Sequence, residues 1–230
     1  MLGLIVGESS LPRFVINKLL KKNNCKKIIF IGKVKRPEIS SLKFDRKALI
    51  YLPRLYSAFK KGDGNILKEV IKIFKEHKIK VVSSMKFTPE LIFKDANINK
   101  IRINNTDNTS IIKGVNIIKS LSKFDIGQSV VINNGYVLAI EGPEGTDETI
   151  KRSSHLLKKY RLKNKSILIK FPKANQDLRV DLPTIGLDTI KNCIKANIKG
   201  IAVKRSQNII LDKDKIKNLT KKNNFFIISL

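Results

Sequence analysis

Asn175-Gln176-Asp177-Leu178-Arg179-Val180-Asp181-Leu182-Pro183-Thr184-Ile185-Gly186 follows a strand-like run, 166–171, after Pro172-Lys173-Ala174, so the chain reads as a strand, a polar segment and then a helix. The polar segment carries two acids, one arginine, two amides and no lysine, in a chain otherwise rich in lysine. Spaced by two, Asp177, Arg179 and Asp181 would share one side of an extended segment. Pro183 stops that strand, and Gly186 allows a turn into the next helix. Two carboxylates around one guanidinium suit a site that handles phosphate with a divalent cation. They also fit a surface strand ending in an ion pair, and by itself the stretch favours that plainer reading.

Outward from this stretch, strands alternate with helices. Upstream, residues 2–6 form a short buried strand, 7–10 a turn, and Leu11-Pro12 open a helix. Residues 27–32 form a second strand, which runs into the basic loop Lys33-Val34-Lys35-Arg36-Pro37 at a carboxyl end, where open α/β sheets bind ligands. The same loop also reads as a solvated basic turn. Residues 41–62 are mixed, with Pro53 limiting any helix there. Asp63 or Asn65 is placed to cap a helix carrying Ile66, Leu67, Val70, Ile71 and Phe74. A strand at 79–82, a short helix from Thr88-Pro89-Glu90 and a helix at 110–123 follow. Downstream lie a helix at 187–197, strands at 200–203 and 209–211, a last helix capped by Asp212, and a closing strand at 225–229. The alternation predicts an α/β fold with parallel, doubly wound sheets.

The texture changes at Phe124. From there to Ile150 the sequence has no lysine or arginine, where about five would match the density of the whole chain. This seam divides the chain into an N-terminal Rossmann-like domain, 1–124, and a C-terminal α/β catalytic domain, 125–230. Inside the window, 128–132 and 136–140 flank Asn134-Gly135, a strong hairpin signal. The hairpin delivers Glu141-Gly142-Pro143-Glu144-Gly145-Thr146-Asp147, whose two glycines let backbone approach a ligand. Thr146 or Asp147 is placed to cap the helix running to about Tyr160. Acids beside a helix N-terminus repel bare phosphate, so metal-bridged phosphate is the more natural guest.

Composition narrows the chemistry. The net charge is +28, but 38 of the 47 basic residues are lysine and 9 arginine, spread without a basic tail or aromatic interleaving. That pattern gives no specific nucleic-acid reader; attraction to an anionic substrate or an anionic membrane surface follows as well. With two histidines, His77 and His155, zinc-type HExxH chemistry is excluded. Any metal would need oxygen ligands, which favours Mg²⁺ or Mn²⁺. Cys25 and Cys193 read as buried thiols in a reducing compartment. No P-loop, GxGxxG or GxSxG motif is present. Neither a transmembrane run nor a signal peptide is legible, so a cytoplasmic protein is expected. No strongly amphipathic helix reads as a membrane anchor.

Gly127-Gln128-Ser129-Val130-Val131, Glu141 to Asp147 with Arg152, Gln176 to Gly186, and Gly200-Ile201-Ala202-Val203 resemble, in order, the LpxI family of UDP-2,3-diacylglucosamine pyrophosphatases. The likeness continues through Gly32-Lys33-Val34-Lys35-Arg36-Pro37, Pro53-Arg54 and Lys61-Gly62-Asp63. It implies two α/β domains with the ligand between them, often as a homodimer, peripheral on the cytoplasmic face of the inner membrane. It also implies Mg²⁺-dependent hydrolysis of a lipid-linked UDP-sugar to UMP and 2,3-diacylglucosamine 1-phosphate. By position, Asp181 matches the aspartate expected to be essential, holding Mg²⁺ or orienting water, and Asp177, Glu141, Glu144 and Asp147 are further metal or base candidates. Arg179, Lys170, Lys33 and Arg36 would neutralise phosphate, with Gly145, Thr146 and Gln176 as further substrate contacts. The turn at 7–10 carries Glu8 where the family has a glycine-rich turn, and one strand-helix unit is skipped, which implies a shortened N-terminal domain. A non-catalytic binder of nucleotide-sugar lipid is the alternative, ahead of a basic nucleic-acid binder.

Overall fold

The computed structural model describes residues 2–6, 26–32, 46–174 and 176–230, so the turn at 7–10, the helix from Leu11, Cys25 and the loop carrying Lys33 and Arg36 lie outside the described residues. The chain forms two compact α/β units: residues 1–88 with 177–181, and residues 89–176 with 182–230.

In the N-terminal unit, β1 (Leu2–Val6), β2 (Lys27–Ile31) and β3 (Lys80–Val81) pair in parallel in that order. Two helices, α1 (Arg46–Phe59) and α2 (Asp63–Glu76), lie between β2 and β3 in the chain. The core holds Ile28, Ile71 and Val81, with Phe30, Leu67, Phe74, Ile79 and Val180 packed against it. Pro53 does not limit the helix as its residue type suggested: α1 runs through it. Arg54 explains how, donating to Glu69 at 2.7 Å and to both oxygens of Glu76 at 2.7 and 3.0 Å on α2. Tyr51 adds a 2.7 Å hydrogen bond to His77, so tertiary contacts offset the lost backbone bond. Asp63 is the first residue of α2 rather than its cap, which is Gly62, and Asn65 turns back to the Lys61 carbonyl at 2.8 Å.

The C-terminal unit is built on a five-stranded sheet, ordered β10-β8-β6-β4-β5. Its strands are β4 (Ser129–Asn133), β5 (Tyr136–Ile140), β6 (Ser166–Lys170), β8 (Ile198–Val203) and β10 (Phe226–Ser229). β6, β8 and β10 are parallel, while β4 runs antiparallel to both β5 and β6. The sheet is therefore mixed rather than fully parallel, because the Asn134-Gly135 turn closes a true hairpin, with φ of 46° and 85° at its two residues. A small parallel pair, β7 (Thr184–Ile185) with β9 (Ile209–Ile210), lies apart.

Alternation along each strand splits the core in two. Val131, Leu168, Ile201, Val203 and Ile227 face one cluster, which includes Ile150 of α4 (Thr146–Lys159), Ile190 of α5 (Leu187–Lys195) and Ile216 of α6 (Lys213–Lys222). Val130, Ile132, Ile167, Ile169, Ala202, Phe226 and Ile228 face the other, against Ile111 and Ile118 of α3 (Asn105–Leu121). Helices on both faces explain why these strands read as unbroken apolar runs. Gly200 sits under the Phe226 ring, where a Cβ would come within 2.3 Å of it.

The boundary between the units falls at Thr88/Pro89, upstream of the seam expected near residue 125. Instead α3 belongs with the C-terminal sheet, and it starts at Asn105 rather than Ser110 because Asn104 and Asp107 form a capping box, with Asn104 accepting from Asp107 N at 2.8 Å. Asp212 precedes α6 in a left-handed conformation, φ 52°, and makes no side-chain cap.

Candidate active site

β5 and β6 end, and β4 begins, along one edge of the C-terminal sheet: Ser129 lies opposite Lys170, Val130 opposite Ile140, and Lys170 beside Val203. The carboxyl end of an α/β sheet is where ligands usually bind, because strand ends there hand the chain to loops and helix N-termini. Here it gathers Ser129, Glu141, the start of α4 and Lys170.

Glu141 follows β5 and is buried, 7% exposed. Its carboxylate accepts from the Ser129 hydroxyl and from Thr146 Oγ1 at 2.9 Å, and its N–H donates to the Ser129 carbonyl at 2.9 Å. Gly127 makes this possible: with φ +48°, a Cβ there would lie 2.1 Å from the Glu141 carbonyl oxygen. Glu144 accepts from Arg152 at 2.7 Å and Thr149 at 3.3 Å. The Arg152 hydrogen bond holds its carboxyl below the usual range. Arg152 also donates to the Ile140 carbonyl at 2.8 Å, so one guanidinium ties the strand end to the loop. Gly145, at φ 83° and ψ 173°, is the N-cap of α4 in a backbone region nearly restricted to glycine. Neither Thr146 nor Asp147 caps α4 with its side chain; Asp147 instead accepts from Asn192 of α5 at 3.3 Å.

Lys170 is buried at the end of β6, 6% exposed, and donates to the Thr184 carbonyl at 3.0 Å. Its own carbonyl accepts from Asn208 at 3.2 Å. Gln176 accepts from the Lys173 N–H at 2.8 Å and reaches Gln128 at 3.4 Å, while Lys173 pairs with Asp125. A buried lysine amine at the sheet's carboxyl end, the end where Glu141 leads the chain into α4, is chemistry for an anion whose charge is shared with a cation.

The expected strand at 177–181 is a turn. Val180 N and Asp181 N both donate to the Asp177 carbonyl, at 3.1 and 3.0 Å, and Val180 joins the N-terminal core. Asp177, Arg179 and Asp181 therefore do not present one extended face. Arg179 is instead bound to Asp177, through Nε at 2.9 Å and Nη2 at 2.6 Å. That hydrogen bond is the main cause holding Asp177 below the ordinary carboxylate range. The chain leaves the C-terminal unit after Gln176, gives Asp177–Asp181 to the N-terminal one and returns at Leu182. Asp181, Asp177 and Arg179 thus lie in one unit, and Glu141, Glu144, Gly145, Thr146, Asp147, Lys170 and Gln176 in the other.

Among the described residues no three of His, Cys, Asp or Glu are grouped closely enough to hold a metal ion. Glu141, Glu144 and Asp147 each serve protein partners, so neither unit contains a ready-made cage among those residues. Ser129, Thr149, Arg152 and Asn192, which organise the acidic loop, were not singled out as site residues from sequence; only the motif likeness around Ser129 and Arg152 marked their neighbourhood.

Fold and site define a two-unit α/β protein with a polar, loop-built site at the carboxyl end of its larger sheet. The LpxI N-terminal domain matches residues 13–91 and the LpxI C-terminal domain residues 94–228. A relative from Caulobacter vibrioides, "UDP-2,3-diacylglucosamine pyrophosphatase LpxI", is 31% identical over 204 residues, covering 87% of this chain and 73% of that one. The chain belongs to the LpxI family. No described helix is long and apolar enough to cross a membrane.

Proposed function

We propose that this protein hydrolyses the diphosphate of UDP-2,3-diacylglucosamine, releasing UMP and 2,3-diacylglucosamine 1-phosphate. The observation that carries the reading is the convergence of the Glu141–Asp147 loop and buried Lys170 at one sheet edge, in a chain of this family. Water adds to the sugar-side phosphorus, the bond from that phosphorus to the bridging oxygen breaks, and UMP leaves with the bridging oxygen. Negative charge gathers on the phosphoryl oxygens, and its neutralisation is the main demand on such a site. Lys170 supplies fixed positive charge, and the N–H groups opening α4 supply donors. Ser129, Thr146 and Arg152 hold the loop in place, which avoids reorganisation during the reaction.

The reaction requires Mg²⁺ or Mn²⁺, which would supply further charge neutralisation on the diphosphate. Mg²⁺ is commonly held by one or two carboxylates together with substrate phosphates, so a single aspartate and the diphosphate itself would be enough to hold it. Asp181 is the acid assigned to that cation or to the attacking water, with Asp177, Glu141, Glu144 and Asp147 as the further candidates. The substrate is met at an anionic membrane surface on the cytoplasmic side, with the protein as a homodimer. Any adhesion to nucleic acid is weak and salt-labile.

Purified protein is expected to release UMP from the substrate with Mg²⁺ and to stop with EDTA. Asp181→Ala should abolish turnover while keeping the circular dichroism spectrum. Tight binding of the substrate without turnover under any divalent metal would replace the hydrolase by a binding protein, and full activity of Asp181→Ala would overturn the assignment of that residue.

A further inference from the structure

α1 leaves an apolar stripe facing outward in addition to the apolar side it packs. Leu49, Ile50, Pro53 and Tyr56 recur at helical spacing, and all four are exposed, Ile50 at 70%, Leu49 at 52% and Tyr56 at 51%. The opposite side is the one that packs: Tyr51 meets His77, Arg54 holds Glu69 and Glu76, and Ala58 is buried. A helix at the surface of a water-soluble unit normally keeps its apolar stripe inward and a polar stripe outward, whereas α1 is apolar on both sides, with Leu52, Leu55 and Phe59 half-buried beside Ala58. No acid lies between Asp45 and Asp63, while Arg46 and Lys47 stand at the start of α1 and Lys60 and Lys61 just beyond its end. Lys60 lies over the Tyr56 ring, 4.7 Å from its centroid, so the aromatic at the stripe's end has a cation beside it.

We infer that this face of α1 docks the protein on an anionic lipid bilayer, with Leu49, Ile50 and Tyr56 entering the headgroup–acyl boundary and the flanking basic residues meeting lipid phosphates. An apolar stripe rimmed by Lys and Arg, with Tyr at its edge, is what an interfacial helix requires. The local charge of this face decides against a second copy docked through the same stripe, since no acid lies between Asp45 and Asp63 and the flanking lysines, Lys60 and Lys61, would face their own copies. It is also clear why the helix escapes detection in the sequence. Pro53 breaks the apparent helix there, and only the contacts of Arg54 and Tyr51 with α2 and His77 show that α1 continues through it. The inference deepens the membrane part of the proposed function but stands apart from the hydrolase reading, because docking is measured with no substrate present.

The protein has no tryptophan, so Ile50→Trp gives a fluorescence probe without background. Its emission is expected to shift to the blue with vesicles of phosphatidylcholine and phosphatidylglycerol, to be quenched by brominated acyl chains, and to respond little to phosphatidylcholine alone. The double variant Leu49→Ser/Ile50→Ser should pellet with the anionic vesicles about tenfold less well. It should keep the wild-type circular dichroism spectrum and the wild-type rate of UMP release on detergent-dispersed substrate. An Ile50→Trp emission unchanged by anionic vesicles would overturn the inference, as would undiminished pelleting of the serine variant. A fall in solution mass of the serine variant, with vesicle binding intact, would assign the face to a second copy instead. Failure to release UMP with vesicle docking intact would count against the hydrolase reading alone.

Discussion

Replacing Gly127 by alanine should show whether the acidic loop is held by close backbone approach. The residue has φ +48°, and an alanine Cβ would lie 2.1 Å from the Glu141 carbonyl oxygen and 2.9 Å from its carbon. Left-handed backbone costs a residue with a Cβ roughly 1–2 kcal/mol. Relieving the clash means moving backbone rather than a flexible side-chain tip, an overpacking cost of about 1–3 kcal/mol. The sum is roughly 2–5 kcal/mol. Gly135 supplies the control, because it has φ +85° and a Cβ there would meet nothing within 4 Å, so only the backbone cost of about 1–2 kcal/mol applies. At roughly 3 °C per kcal/mol for a unit of this size, Gly127→Ala should melt about 6–15 °C below the wild type and Gly135→Ala about 3–6 °C below. Differential scanning calorimetry is the suitable assay, since the two units can unfold in separate transitions. Pushing the Glu141 carbonyl also displaces its N–H from the Ser129 carbonyl, so UMP release should fall by about 10–100-fold in Gly127→Ala and little in Gly135→Ala. Equal melting of the two variants, with activity retained in both, would refute the close-approach argument.

Glu141→Ala leaves the Ser129 and Thr146 hydroxyls without their buried acceptor and should cost about 2–4 kcal/mol in urea unfolding, whereas Glu141→Gln keeps an acceptor and should cost less than half as much. An equal loss in both would show that the hydroxyls find other partners. Gly200→Ala should cost about 1–3 kcal/mol by forcing the Phe226 ring out of its place, again read by urea unfolding. Glu144 and Asp177 are held below their ordinary pKa values by Arg152 and Arg179. Depressed folded-state values mean their stabilisation is complete above the unfolded pKa, about 4, and is lost as pH falls through the lowered folded values. Arg152→Ala and Arg179→Ala should therefore lower Tm at neutral pH, with the gap to wild type closing in acid. A gap that stays constant down to pH about 2 would show that packing, not charge, supplies the effect.

Much of the fold was legible because its signals are local. The Asn134-Gly135 hairpin, the strand at 166–171 and the helices after Gly145 and Gly186 all follow from period, turn chemistry and residue size. The misreadings share one cause. Pro53 argues against a helix locally, but Arg54 reaches two glutamates on α2 that no local pattern reveals. The lysine-free window at Phe124 marks a change in surface composition, yet α3 ahead of it buries Ile111 and Ile118 against the C-terminal sheet.

The acidic loop and the stretch from Gln176 to Gly186 can be found from sequence alone, because their residue types depart so sharply from a lysine-rich background and match one family in order. Their arrangement cannot. The spacing of Asp177, Arg179 and Asp181 by two suggests a shared face, but two backbone bonds to the Asp177 carbonyl curl them into a turn whose Val180 seats in the N-terminal core. Likewise Glu141 looks like a free ligand until Ser129, twelve residues earlier on the neighbouring strand, is seen to occupy it. Residue chemistry and period are properties of short windows, and they determine elements and candidate groups. Which groups are spent on one another depends on contacts between segments far apart in the chain, and those exist only once the sheets have formed.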